Sequence, residues 1–342
     1  MAYNSSKTRG AMTVQITIIG LGQTGASIGL ALAAHSDKVF ITGHDKEYEA
    51  EGRAKKIGAV HATNHNLPSA VENADLIILA IPIHQIRETF EYIKRDVKKD
   101  AVLIELSPVK AEVTKWVKEI LPTHCHYVGL VPAIGPGYLD KIETPLSTPQ
   151  ADLFSRSVFL LSAPSGTPGE AVKLASDFVK LLGANALLTD FIESDGLTSS
   201  AYLLPQLVSA SLLDATIRQP GWKESQKIAG RAYFSASSAF SETDDADTLT
   251  SLSFHNRENI IRALEQIIRS LVELRDTLEN KDEEAFKSFL KTAQQGRSDW
   301  LSERIKGEWG NANETKVEKI SIIETLLGSA LSKRLKPNKD EK

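Results

Sequence analysis

Cysteine is nearly missing from this chain. Among its 342 residues only Cys125 occurs, so no disulfide can form within the chain and no multi-cysteine zinc or iron–sulfur site can be built. That fits a reducing, cytoplasmic setting. An excess of one charge is missing too. Forty Lys and Arg stand against forty-four Asp and Glu, a net charge of −4, and no basic surplus advertises a nucleic-acid footprint. Long apolar runs are also lacking. Stretches such as 203–213 contain Gln206 and two serines and fall well short of the ~20 residues of a membrane helix. Neither a membrane span nor export is expected. Residues 1–12 are polar, lack the apolar core of a signal peptide and read as a flexible tail. The charged end over 336–342 reads the same way.

What is present is ordinary globular material, with 42% hydrophobic and 25% charged residues. At roughly 150 residues per domain the length suggests two domains. The chain changes character near residue 190. Before it, β-branched apolar runs at 14–19, 39–42, 76–81, 102–106, 127–131 and 158–162 alternate with helical spacing at 24–34, 46–57, 84–97, 110–120 and 169–182. This alternation predicts an α/β fold, a doubly wound parallel sheet of the Rossmann type over 13–190. After it the strands stop. Apolar residues recur three and four apart over 192–218, 260–278, 283–305 and 317–335, which predicts an all-helical domain over 191–335. The proline- and glycine-rich stretch 132–149 reads as a loop. The Ser/Thr/Asp-rich stretch 235–253 reads as a turn region between helices.

The sharpest local signal is Gly20-Leu21-Gly22-Gln23-Thr24-Gly25, which follows the first strand and opens the first helix. The first glycine permits a tight turn, the second lets a pyrophosphate approach the backbone, and the third lets helix and strand pack closely. The helix N-terminus adds N–H groups and a partial positive charge for the phosphates. Asp45 stands 20 residues beyond Gly25, placed to accept hydrogen bonds from ribose hydroxyls and to repel a 2′-phosphate. That favours NAD over NADP, although Lys46 lies next to it.

Further polar residues fall at the ends of the expected strands, where ligands of open parallel sheets bind. Lys110 follows the fifth strand and reads either as a catalytic-site residue, anchoring a carboxylate or a cofactor amide, or as a solvated first-turn lysine. Glu105 lies inside the end of that strand. His124-Cys125-His126 lacks a nearby third ligand, so no metal is expected. His255, beside Asn256, reads as the start of a long helix, with substrate contact as the other possibility.

The sequence resembles the prephenate/arogenate dehydrogenase family. The resemblance lies in Ile18-Ile19-Gly20-Leu21-Gly22, in Gly25 through Leu32, in Ala74 through Pro82, in Val109-Lys110, in Leu153-Phe154 and in Leu182-Gly183-Ala184. Ser194-Asp195, Leu204-Pro205 and Asn256 carry it more weakly into the helical half. It implies hydride transfer to NAD from a small-molecule substrate, a cyclohexadienyl acid, with loss of its ring carboxylate as CO2 on the route to tyrosine. It implies a homodimer through the helical half. It also places Ile81 and Pro82 at the cofactor, with His84 just beyond them as a substitute acid/base or a plain helix-start residue. The family's histidine positions read differently here. Its Gly-His-Pro-Met segment corresponds to Leu130-Val131-Pro132-Ala133, and its Ser-His-Leu-Pro-His segment to Tyr202-Leu203-Leu204-Pro205-Gln206. Its arginine-bearing segment leaves Arg231 as the counterpart for substrate. Since valine and leucine cannot share a proton, two other readings stay open. One is an NAD(H)-binding relative with weakened catalysis and a sensor or partner role; the other is a dehydrogenase for a different small acid.

Overall fold

The computed structural model describes residues 13–139, 148–240 and 245–307. The expected tails at 1–12 and 336–342, the expected helix over 317–335 and part of the 132–149 loop lie outside these residues.

The first half alternates strands and helices. In chain order it runs β1 Val14–Ile19, α1 Gln23–Ala33, β2 Val39–His44, α2 Tyr48–Lys56, β3 Ala62–Thr63, α3 Leu67–Val71, β4 Leu76–Leu79 and α4 Ile83–Ile93. It continues with β5 Val102–Glu105, α5 Ala111–Ile120, β6 His126–Pro132, β7 Val158–Ser162, α6 Gly169–Leu181 and β8 Asn185–Leu188. The strands form one sheet in the order β3-β2-β1-β4-β5-β6-β7-β8. Alternation along each strand splits the core in two. Ile16, Ile18, Ile78 and Ile104 join a cluster with Ile28 and Leu32 of α1 and Phe178 of α6. Ile19, Ile77, Leu79 and Leu103 join another with Phe90 of α4 and Trp116 of α5. A sheet covered on both faces needs the near-continuous apolar strands that the sequence shows.

The sheet is mostly, not wholly, parallel. β3 through β6 run parallel, but β6 pairs antiparallel with β7, from Gly129 opposite Ser162 to Pro132 opposite Phe159. A parallel neighbour requires a crossover, usually a helix. Between β6 and β7 the described residues hold only the 3-10 turn Pro136–Tyr138, and the chain returns in reverse. Helix α6 then carries it back to a parallel β8. Two strands and one helix escape the apolar pattern: β3 has two residues, β8 is largely exposed, and α3 starts on an Asn66 cap that accepts from the Ser69 N–H at 3.0 Å.

Beyond β8 the described elements are helices: α7 Phe191–Thr198, α8 Leu204–Ile217, α9 Trp222–Ile228, α10 Arg231–Ser237, α11 Ala246–His255, α12 Arg257–Glu279 and α13 Glu283–Lys306. A π-helical turn, Ser199–Leu203, joins α7 to α8. Pro205 just beyond it has no N–H to give the ladder, a local reason for the widened spacing. The expected turn region over 235–253 is corrected. It contains the end of α10 and most of α11, because Asp245 caps α11 by accepting from the Thr248 N–H at 2.7 Å and Leu249 and Leu252 are buried. Those leucines, with Leu203 and Ile260, extend the α4–α5 cluster into the helical half. Along α12, Ile261, Ile268, Leu271, Val272 and Leu278 remain exposed. No described helix is long and apolar enough to cross a membrane.

Candidate functional site

The site grows from the turn between β1 and α1. Gly20 has φ +91°, and a Cβ there would stand 2.3 Å from the Ala80 carbonyl oxygen at the end of β4. Only glycine combines that backbone with that contact. A Cβ on Gly25 would meet the Gly20 carbonyl oxygen at 1.9 Å, so the third glycine lets α1 sit on its own turn. Gly22 differs, since a Cβ there would meet nothing within 4 Å. Its bareness faces open space, as the approach of a phosphate requires. Gln23 and Thr24, half-buried, complete the first turn of α1, which has no acidic side chain.

Asp45, one residue past β2, is joined to this turn. Its Oδ2 accepts from the Leu21 N–H at 2.7 Å and its Oδ1 from the Glu47 N–H at 2.9 Å. Its own N–H donates to Glu51 Oε1 at 3.1 Å. The same Glu51 oxygen lies 3.2 Å from His65 Nδ1, and His65 stacks on Tyr48 with ring centroids 3.6 Å apart. The glycine turn, an acidic residue at the neighbouring strand end and a bare helix N-terminus thus form one hydrogen-bonded unit. Ile81 and Pro82, both half-buried, flank it at the end of β4. These residues fit a dinucleotide, with the pyrophosphate over Gly22 and the adenosine ribose at Asp45.

A second polar group lies at the end of β5. Lys110 is 0% exposed. Its Nζ donates to Glu105 Oε2 at 2.7 Å and to the Glu105 carbonyl at 2.9 Å. Tyr127 donates its hydroxyl to the same Oε2 at 3.2 Å, and the Ser107 N–H donates to Glu105 Oε1. Burial pulls the Lys110 ammonium below its ordinary range, against the pull of Glu105. Burial, reinforced by Glu105, holds the Tyr127 phenol well above its own. From α7, Asp195 closes the group, accepting from the Lys110 N–H at 2.6 Å and the Ala111 N–H at 3.1 Å. Burial raises its carboxyl against those two bonds. Asn256 holds the Asp195 carbonyl at 2.8 Å, and Thr198 holds the Pro108 carbonyl at 2.8 Å.

The remaining candidates scatter. His84 is exposed in the first turn of α4, and together with Lys46 it helps hold the Asp245 carboxyl low, behind the larger effect of the Thr248 bonds. Arg231 opens α10 and is exposed. His255 closes α11 instead of starting a helix and sets its ring edge-on to Trp116 of α5 at 5.2 Å. Leu203 is buried in the apolar cluster that spans both halves. Gln206, nearly buried, gives its amide to the Tyr202 carbonyl at 3.1 Å. Burial pushes the Cys125 thiol up to about 12. Among the described residues no group of three or more His, Cys, Asp or Glu is placed to hold a metal. Glu51, His65 and Tyr127 escape sequence reasoning, and Asp195 enters it only through the resemblance, because their partners lie at spacings that no motif records.

Comparison with known proteins agrees with this architecture. The family described as "Prephenate dehydrogenase, nucleotide-binding domain" matches residues 28–188, and "Prephenate dehydrogenase, dimerization domain" matches 193–292. Together they cover well over half of the chain. A prephenate dehydrogenase of Bacillus subtilis (strain 168) is 25% identical over 293 residues, covering 85% of this chain and 77% of the relative. A cyclohexadienyl dehydrogenase of Zymomonas mobilis is 24% identical over 295 residues, covering 84% and 96%. In fold, the chain is similar to the crystal structure of prephenate dehydrogenase from A. aeolicus in complex with hydroxyphenyl propionate and NAD+. The TM-score is 0.74 at 19% identity, over 85% of this chain and 99% of that one.

Proposed function

The chain belongs to the prephenate dehydrogenase family, and from that membership we propose that it is an NAD-dependent dehydrogenase of a cyclohexadienyl acid of the prephenate or arogenate type, serving tyrosine biosynthesis. The observation that carries this is the match of both halves of one chain to the two parts of that family, with the relatives it resembles named for this activity.

In the reaction, the ring carbon bearing the hydroxyl gives up a hydride, and any proton the hydroxyl shares with a base as its carbon–oxygen bond gains carbonyl character returns to the oxygen, which ends as a phenol. The bond to the ring carboxylate breaks, CO2 leaves and the ring becomes aromatic. NAD+ supplies the hydride acceptor when bound. The chain supplies the cradle. Gly22 and the first-turn N–H groups of α1 take the pyrophosphate, and Asp45 takes the ribose hydroxyls and repels a 2′-phosphate. Ile81 and Pro82 form the apolar wall at the end of β4. The crevice between β1 and β4, where the strand order reverses, is where such sheets bind ligands. Of the two ionisable residues offered as catalytic, His84 is exposed and is the one to test for proton transfer. Lys110 is locked on Glu105, and we assign it to fixing the end of β5. Arg231 and His255 remain the candidates for substrate contact.

The division near residue 190 falls in the gap between the two family matches, which supports a cofactor domain over 13–190 and a substrate and dimerisation domain over 191–335. The dimerisation match and the exposed apolar residues of α12 support a homodimer through the second half. The single cysteine supports a cytoplasmic location.

One observation favours a second reading. Val131, Leu203 and Gln206 stand where the resemblance places the family's histidines, and Leu203 lies within an apolar cluster. Loss of a general base costs about 10²–10⁴-fold in rate. The substitutions therefore favour an NAD(H)-binding relative that turns prephenate over slowly, or one that takes a different small acid. Titration with NAD+ and NADP+, followed by assay of NADH formation with prephenate and with arogenate, separates the readings. Turnover at rates normal for a dehydrogenase upholds the first. Cofactor binding without turnover upholds the second. Binding of neither cofactor overturns both.

A further inference from the structure

We infer that Tyr48, stacked on His65, is the platform on which the adenine ring of a bound dinucleotide rests. The inference deepens the cofactor reading above and rests on it.

Three observations meet at this point. The first is position. The Asp45 carboxylate is fixed by the Leu21 and Glu47 N–H groups at the glycine turn. Adenine is bonded directly to the ribose whose hydroxyls such a carboxylate takes, so the base must lie close beside Asp45. Tyr48 is three residues on, at the start of α2.

The second is rigidity. One buried oxygen, Glu51 Oε1, accepts from the Asp45 N–H at 3.1 Å and lies 3.2 Å from His65 Nδ1. The ribose-binding residue and the ring beneath Tyr48 are thereby held by the same carboxylate. His44 leans toward the same oxygen, with Nδ1 at 3.9 Å. His65 then lies under Tyr48, 3.6 Å between centroids and 17° from parallel.

The third is exposure. With one face on His65, Tyr48 is still 71% exposed. An aromatic ring fixed from behind and open in front suits a third ring. Stacking on a base makes use of the π-face and asks for no particular hydrogen bond. The stack gives the adenosine half of the cofactor its own anchor, separate from the phosphate contacts over Gly22.

Calorimetric titration of the full chain with ADP-ribose and with NAD+ tests this, using wild type, Tyr48→Ala, Tyr48→Phe and His65→Ala. Tyr48→Ala is expected to weaken both ligands about tenfold and by the same factor, within the range that base–aromatic stacking commands. Tyr48→Phe is expected to bind as wild type does, because the ring and not the hydroxyl is used. His65→Ala is expected to fall between them, since it removes the support and keeps the ring. The exposed position of Tyr48 leaves the melting temperature of Tyr48→Ala at the wild-type value, which separates lost stacking from lost folding. If wild type binds NAD+ while Tyr48→Ala holds ADP-ribose within about twofold of it, the platform is overturned and the cofactor reading stands. If wild type binds neither ligand, both are overturned.

Discussion

Asp195 caps a helix that begins 84 residues earlier in the chain: its Oδ1 accepts the Lys110 backbone N–H at 2.6 Å, and its Oδ2 takes the Ala111 N–H at 3.1 Å. Helix starts ordinarily find a capping oxygen in the residue before them. Here that residue is Lys110, whose side chain is committed to Glu105, and the oxygen comes from α7. One carboxylate therefore ties the end of β5 to the first helix of the second half.

Removing that carboxylate leaves buried N–H groups without partners. Asp195→Ala is expected to cost about 1–3 kcal/mol, measured by urea unfolding. The Lys110 and Ala111 amides should lose their protection from hydrogen exchange. Asp195→Asn, which keeps one acceptor, should cost less. Unchanged exchange at those two amides would count against the cap.

The Lys110–Glu105 pair is fully buried, so breaking it from one side strands a charge. Lys110→Met is expected to cost about 3–5 kcal/mol. Replacing both partners with methionine should cost less than the sum of the two single changes, although Tyr127 then loses its acceptor. A double-mutant cycle by chemical unfolding gives the coupling. Additivity would mean that the two groups do not act together.

Tyr127 yields a pH dependence with a definite sign. Its phenol is held well above the ordinary value by burial and by Glu105, so in the folded chain it keeps a proton that the unfolded chain releases near pH 10. The stability it contributes is complete below about pH 10 and is lost as the pH rises beyond. Tyr127→Phe should be less stable than wild type at neutral pH and should lose less as the pH rises. A constant difference in unfolding midpoint from pH 8 to 11 would contradict this.

Much of the first half is legible in sequence because its signals are local. The strand of β1 and the turn at Gly20–Gly25 follow from spacing within a few residues, and the acidic residue after β2 from its fixed distance of 20 residues beyond Gly25. The reversal at β7 is not local. It depends on the connection from β6 lacking a crossover helix among the described residues, whereas the residues of β7 read like any buried strand. β8 is hidden because its short apolar stretch, Ala186-Leu187-Leu188, has neither the length nor the β-branched residues that mark the other strands. Helix α11 is masked by its Ser, Thr and Asp content, although one of those residues, Asp245, is the cap that starts it. In the site the division is the same. Gly20, Gly22 and Asp45 announce themselves. The engagement of Lys110 with Glu105, and the chain from Asp45 through Glu51 to His65 and Tyr48, join residues of the strand-end loops at spacings that no motif records, so they show only once those loops are folded.

The glycine turn offers the cleanest separation of folding from binding. Gly20→Ala sets a Cβ against the Ala80 carbonyl at a φ that disfavours it, and should cost ~3 kcal/mol or more. Gly22→Ala meets no atom within 4 Å and has extended backbone that alanine accepts. The central claim is that open space over Gly22 receives the pyrophosphate of NAD. The most direct measurement is therefore the NAD+ affinity of Gly22→Ala beside its melting temperature. The expected result is a wild-type melting temperature with NAD+ binding weakened at least about tenfold. Wild-type affinity for NAD+ in that variant would contradict the claim.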